Sequence, residues 1–438
     1  MTLTQSPAAP AATPRRARIH RAWWVAAVAC VATIGAAGFR ATPGVLIQPL
    51  QDEFGWSRGT ISAAVSVNLV LFGLTAPFAA ALMLRFGIRR VVACALLVVA
   101  AGSGLTVFMT ASWQLMLCWG VLVGLGTGSM ALTFVAMVTG NWFVARRGLV
   151  TGILTAAGAT GQLIFLPVLA GVAESRGWRV AALTVTAAAL AVVPLVLALL
   201  RDRPADVGLR PYGAPEDPPA AVAPVATAPA GGVAARALRE LARAARTPAF
   251  WFLAGGFAIC GASTNGLIGT HLIPAAHDHG MPTTTAAGLL ALVGIFDIVG
   301  TILSGWLTDR FDARVLLVVY YTLRGVSLLV LPAVLGDAVH LGMVGFIVFY
   351  GLDWVATVPP TIALCRAHFG EAGPIVFGWV FAAHQIGAAV AASAAGVLRD
   401  VRGDYTLAWA GAGVLCLLAA ALSARVGRPA GAPAPAVA

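Results

Sequence analysis

The chain has 438 residues, of which 59% are hydrophobic and only 10% charged, with a mean hydropathy of +0.88. Soluble globular chains carry roughly 25% charged residues, so a fold surrounded by water on all sides is excluded. The formal net charge of +11 does not indicate nucleic-acid binding: every basic residue is arginine, and the arginines punctuate apolar runs instead of forming a basic face.

In chain order, Arg15, Arg16, Arg18 and Arg21 precede a first apolar run, as they would in a signal peptide. The run from Trp23 continues past Ala37 to Arg40 and Pro43 without a clean cleavage site, so it is read as a retained first span. Apolar segments follow at 22–50, 58–84, 90–110, 113–140, 148–173 and 179–200. A second set lies at 249–276, 284–308, 314–335, 338–365, 372–398 and 404–424. Each is long enough to cross a hydrocarbon core of roughly 30 Å as a helix, and too uniformly apolar for a barrel strand. The expected fold is therefore an all-α membrane protein of twelve transmembrane helices in two six-helix bundles, at 22–200 and 249–424.

Between the bundles, 201–248 reads as a soluble linker. Its 214–235 portion is nearly all Ala, Pro, Val and Gly, and Arg236 to Arg246 reads as a basic amphipathic helix on the membrane surface. Tails at 1–21 and 425–438 flank the bundles. With both termini placed in the cytoplasm, 21 of the 28 arginines fall on the inner side and five on the outer, with Arg40 and Arg324 inside spans. That asymmetry supports an even number of crossings. Six spans, a linker and six spans make the pattern of a duplicated transporter.

The six cysteines lie in apolar runs without CxxC spacing, so neither a disulfide framework nor a metal site is expected. No nucleotide-binding, HExxH or comparable motif occurs, so the chain is not read as an enzyme, and no cofactor is expected. Gly120, Gly124, Gly126 and Gly128, and Gly148, Gly152, Gly158 and Gly161, lie at helical spacing and read as close-packing faces; Pro167, Pro274, Pro359 and Pro360 read as hinge points.

Two loops carry a resemblance. Gly305-Trp306-Leu307-Thr308-Asp309-Arg310 with Arg314, and the partial copy Arg85-Phe86-Gly87-Ile88-Arg89-Arg90, are similar to the loop motif of the major facilitator superfamily. In the first copy Ala80 and Leu84 replace the glycine and the aspartate. The resemblance implies a gating role for both loops, with Asp309 as the gate charge. It further implies a multi-pass cell-membrane transporter that works as a monomer. More narrowly, Asn141-Trp142-Phe143 with Arg146-Arg147-Gly148, Arg203-Pro204-Ala205-Asp206-Val207-Gly208-Leu209 and Phe54-Gly55-Trp56-Ser57 resemble the monocarboxylate and oxalate–formate branch, whose members commonly move small organic anions. Arg40 matches a basic position of that branch in span one. Asp297 matches its span-eight acid, while Thr301 stands where an arginine is usual.

An ionisable group at bilayer depth is costly and therefore informative. Arg40 offers a planar fork for a carboxylate; its alternatives are snorkelling or a pair with Asp52 or Glu53. Arg324 can pair with Asp353 or Asp297, either acid being a candidate proton site or half of a structural ion pair. His384 with Gln385, Asn265 and His271 are candidate substrate contacts, each with interhelical hydrogen bonding as the alternative. The expected function is proton-coupled or exchange transport of a small organic anion, with a proton-driven drug or metabolite exporter of the same fold as the alternative. The partners are a small molecule and the lipid bilayer, without nucleic acid. Arginine-only, alanine-rich usage suggests a high-GC bacterium, hence its inner membrane.

Overall fold

The computed structural model describes residues 19–41, 43–215 and 232–427, without side chains for 40–48, 58 and 59. Helices α1 (Arg21–Ala41), α2 (Pro43–Phe54), α3 (Arg58–Phe86), α4 (Ile88–Thr106), α5 (Ser112–Trp142), α6 (Arg147–Arg176) and α7 (Trp178–Leu199) build the first half. After the linker helix α8 (Val233–Ala244) come α9 (Pro248–Asp278), α10 (Thr283–Thr308), α11 (Ala313–Val334), α12 (Leu341–Asp353), α13 (Val358–Phe369), α14 (Gly373–Arg402) and α15 (Thr406–Ala424). Eleven stretches among the described residues are long and apolar enough to cross a membrane. The longest, Leu341–Arg402, holds three helices, the last set off by a 3-10 turn at Gly370–Ala372. Helices are the only open-ended way to satisfy a backbone in hydrocarbon; the expected spans 22–50 and 338–365 are each divided in two, into α1 with α2 and α12 with α13.

The helices are joined by tight turns. Gly87 links α3 to α4 and Gly177 links α6 to α7 at φ of +89° and +86°, where a side chain would be strained. Each half has its own apolar core: one runs from Ala22 to Leu200, another from Leu267 to Cys416. The halves meet where α6 lies on α10 and where α3 lies on α14.

These crossings are close because small residues face each other. A Cβ on Gly152 would stand 2.6 Å from the Thr301 carbonyl, and one on Gly378 2.6 Å from Pro77. Gly148 and Gly305 likewise leave no room for a side chain against each other's backbone.

The linker is built onto the bundle at one end of the molecule, called the linker end below. Trp142 Nε1 donates to the Arg201 carbonyl (3.0 Å), Asn141 Nδ2 to that of Asp202 (3.1 Å), and the Tyr212 amide to that of Trp142 (2.8 Å). The expected surface helix is present as α8, but it packs against α3 and α14: Ala237 is fully buried beside Ala80, Ala81 and Ile375, and Trp379 Nε1 donates to its carbonyl (3.1 Å). Its small residues let it approach protein closely, which charge patterning alone could not reveal.

Candidate functional site

A cavity of about 190 Å³ lies between the halves. Thr33 of α1, Thr127 of α5, and Thr155 and Gln162 of α6 line it from one half. Asn265 of α9, Asp297 of α10, Trp354 and Val355 between α12 and α13, and His384 and Gln385 of α14 line it from the other. Phe72, Met130, Phe257 and Phe381 make much of the remaining wall apolar.

Local backbone irregularities place the polar groups. Within α9 the segment Ala262–Ile268 is π-helical, a distortion that recurs at functional positions. It carries Asn265 to the cavity, with Nδ2 3.5 Å from Nε2 of His384. The His384 ring stacks on Phe381 at a 5.9 Å centroid separation and leans on Phe257 at 4.8 Å, so its orientation is fixed from two sides.

The charges at depth surround a break. Between α12 and α13 the chain turns through Trp354–Thr357, and Pro359 and Pro360 follow in the first turn of α13. Prolines cannot donate, and the break frees carbonyls and an amide that hydrocarbon cannot satisfy. Arg324, fully buried on α11, donates from Nε to Asp353 Oδ2 (2.6 Å) and from Nη2 to the carbonyls of Asp353 (2.5 Å) and Trp354 (3.2 Å). Its Nη1 donates to Cys260 Sγ (3.0 Å). From α10, Asp297 Oδ1 accepts the Val355 amide (3.1 Å) and the Thr301 hydroxyl (2.8 Å), while the Ser304 hydroxyl donates to the Ala356 carbonyl (2.5 Å).

Arg324 therefore pairs with Asp353, and Asp297 reaches the cavity with a hydroxyl and an amide as partners instead of a guanidinium. Of the other expected residues, Asn265, His384 and Gln385 come together at the cavity. His271 is held elsewhere, with Nε2 2.8 Å from the Ala392 carbonyl and Nδ1 3.3 Å from the Tyr405 hydroxyl, between α9, α14 and α15. The Arg40 side chain lies outside the described residues. Glu53, one acid weighed as its partner, accepts from Arg179 (Nη1–Oε2 2.8 Å, Nη2–Oε1 2.5 Å) and from Trp178 Nε1 (2.7 Å). These bonds hold the Glu53 carboxyl below its usual range.

The two loop motifs act differently. Asp309 crosses to the other half, where its carboxylate accepts the amides of Gly148 (2.6 Å) and Leu149 (2.9 Å) in the first turn of α6. Arg310 stacks on Trp306 at 3.8 Å, and Arg314 pairs with Asp312 at 2.5 Å. In the first-half copy, where Leu84 replaces the acid, Asp202 from the linker supplies a carboxylate: its Oδ1 accepts the Arg89 amide at the start of α4 (2.8 Å), and the space a Cβ on Gly87 would need is taken by the same carboxylate. Arg85 lies over its neighbour Phe86 at 5.1 Å, and Arg90 is exposed. Asp202, Ser304 and Cys260 were not singled out from the sequence as site residues. The adjacent prolines marked the break, but nothing local named the side chains that serve it.

The sequence profile of the Major Facilitator Superfamily matches residues 28–392. The chain is 27% identical over 407 residues to the uncharacterized MFS-type transporter YcxA of Bacillus subtilis (strain 168), covering 92% of this chain and 93% of that one. It is 28% identical over 380 residues to monocarboxylate transporter 13 of Bos taurus (85% and 82% covered) and 28% over 404 residues to monocarboxylate transporter 11 of Homo sapiens (90% and 80%). Among solved structures, the E. coli fucose:proton symporter FucP superposes with a TM-score of 0.71 at 16% identity, covering 93% of this chain and all of that one. The proton:xylose symporter XylE superposes with a TM-score of 0.67 at 14% identity, with 93% and 96% covered. These likenesses to solved structures concern the fold.

Proposed function

We propose, from the premise that the chain belongs to the Major Facilitator Superfamily, that it is a secondary active transporter that carries a small organic anion through the central cavity by alternating access. It is a transporter by its relatives and its fold, and not an enzyme. In this reading Leu341–Arg402 crosses the membrane twice, giving twelve crossings, and the linker end with both termini faces the cytoplasm of a bacterial cell. The protein works as a monomer.

The observation that carries the reading is the composition of the cavity between the halves. Arg324, one of the two arginines expected at depth, is consumed by the helix break, so anion binding at the cavity falls on the amides of Asn265 and Gln385 and on His384. In this reading they are joined by Arg40, the other arginine expected in a span. Asp297 shares that space. Two anions in a poorly hydrated cavity repel strongly, and protonating Asp297 or His384 removes or offsets that repulsion. An organic anion and a proton then bind together more readily than the anion alone, which is the thermodynamic condition for symport. The relatives named monocarboxylate transporters support the same substrate class.

Purified protein in liposomes tests this. Uptake of a short monocarboxylate such as lactate should be driven by an inward proton gradient and should fall sharply in Arg40→Ala and His384→Ala. The apolar wall favours one other reading, proton-driven export of a lipophilic compound. If carboxylates neither move nor stabilise the protein, while lipophilic compounds stabilise wild type and Arg40→Ala equally, the exporter reading replaces the first.

A further inference from the structure

A second space, of about 250 Å³, lies at the linker end. It continues the axis of the central cavity on the same helices. Val135, Thr155, Val358 and Phe381 line the central cavity, and Thr139, Thr151, Ile362 and Phe377 line the second one. Each pair is four residues apart, about 6 Å along a helix.

Its electrostatics differ from those above it. Arg147 enters from one half and Arg366 from the other. Arg147 is steadied by an Nε bond to the Phe143 carbonyl (2.6 Å) and feels both the like charge of Arg366 and the opposite charge of Asp309. The Arg366 side chain has no hydrogen-bond or ion-pair partner among the described residues. Its Nη1 occupies the place where a Cβ on Gly140 would stand 2.5 Å away, so the glycine makes room for the guanidinium head. Asp309 is the carboxylate among the described lining residues, and both its oxygens are engaged by the Gly148 and Leu149 amides. Two guanidinium groups and one committed carboxylate leave one net positive charge. Arg147 is half-buried and Arg366 exposed; guanidinium groups facing one space repel each other, and a bridging anion relieves that repulsion.

We propose that this space is a binding site for a small monoanion of the carboxylate or halide class, bridged between Arg147 and Arg366. It stands apart from whatever the central cavity carries. Because the two arginines belong to different halves, the bound anion ties them together and favours the state closed at the linker end. A transported carboxylate leaving the central cavity and an ambient ion such as chloride share the chemistry this site recognises.

The test is thermal unfolding of the full-length chain in detergent, titrated with sodium formate, sodium chloride or, at matched ionic strength, the bulky sodium 4-morpholineethanesulfonate. Formate should raise the midpoint of wild type and should still raise that of His384→Ala, in which the contribution of the central cavity is removed, and the bulky anion should not. In Arg366→Gln the half-saturation should weaken at least tenfold, and Gly140→Ala, which displaces the guanidinium while keeping its charge, should weaken it too. A chloride response that matches formate identifies an ambient-ion site; a response confined to formate identifies a carboxylate station; both uphold the proposal. It is overturned if wild type shows no shift, if all three anions act alike, if Arg366→Gln responds as wild type does, or if His384→Ala abolishes the shift and so places the anion in the central cavity.

Discussion

Arg324 Nε and Asp353 Oδ2 meet at 2.6 Å beside a break in the helical path, and the same guanidinium also binds two carbonyls at the break. The pair is thus both an ion pair and the hydrogen-bonding complement of an interrupted helix. Removal of Arg324 has two costs: an uncompensated buried charge and an orphaned backbone acceptor at Trp354.

Arg324→Met should therefore destabilise by about 3–5 kcal/mol, the usual cost of stranding one member of a buried pair. Arg324→Met with Asp353→Leu should recover part of that loss but not all, because the Trp354 carbonyl stays unsatisfied while that of Asp353 keeps the Ala356 amide (3.3 Å). Chemical unfolding of the detergent-solubilised variants checks both; complete recovery in the double variant would refute the backbone role.

Asp297→Asn keeps an acceptor for the Val355 amide and the Thr301 hydroxyl, so it should fold with near wild-type stability. If Asp297 carries the coupling proton, this variant should lose the acceleration of uptake by an inward proton gradient while still exchanging substrate across the membrane. Gradient-driven uptake and counterflow, measured side by side in liposomes, separate the two behaviours.

Gly152→Val puts a branched side chain where a bare Cβ would already stand 2.6 Å from the Thr301 carbonyl. The α6–α10 contact should part, and the linker end should spend more time open. Thr139→Cys, placed in a background free of the native cysteines, should then react faster with a maleimide added from the linker side. An unchanged rate would mean that the contact does not hold that end shut.

Asp309 caps the first turn of α6 from the opposite half. Asp309→Ala should cost about 1 kcal/mol, as for loss of an ordinary N-cap, and only in the state closed at the linker end. The same labelling assay reads the shift in population, about fivefold for that free energy.

The Glu53–Arg179 pair responds to acid. Its carboxyl is held below the usual range by its partners, so its contribution is present above the ordinary glutamate pKa and is lost as pH falls through the depressed value. Both side chains are more than a third exposed, so solvent screening keeps the contribution small. The difference in unfolding midpoint between wild type and Glu53→Gln should be present at neutral pH and vanish in acid.

Hydropathy located the helices because a membrane segment must satisfy its own backbone and expose apolar side chains, and both demands are local in sequence. The adjacent Pro359 and Pro360 made a distortion legible for the same reason. Asp202 shows where that reading stops. It lies more than a hundred residues from Arg89, in a linker whose composition suggests nothing special, yet its carboxylate accepts the Arg89 amide in the loop where Leu84 replaces the acid. His271 shows the converse: a histidine near a span end has the chemistry of a ligand, and only packing shows that Tyr405 and Ala392 claim both ring nitrogens. The α8 helix was legible as amphipathic, but its destination depended on the small residues it shares with α3 and α14.

The docked position of α8 has a kinetic consequence. It touches α3 through the neighbourhood of Ala80 and Ala81 and α14 through Ile375 and Trp379, on either side of the seam between the halves. When that seam widens, the helix must abandon one wall and surrender the buried surface of Ala237 or the Trp379 bond. If the halves part at that seam during transport, as proposed, the tether that joins them is also a brake on the stroke, and shortening or loosening it should change the speed of turnover without touching the route the cargo takes.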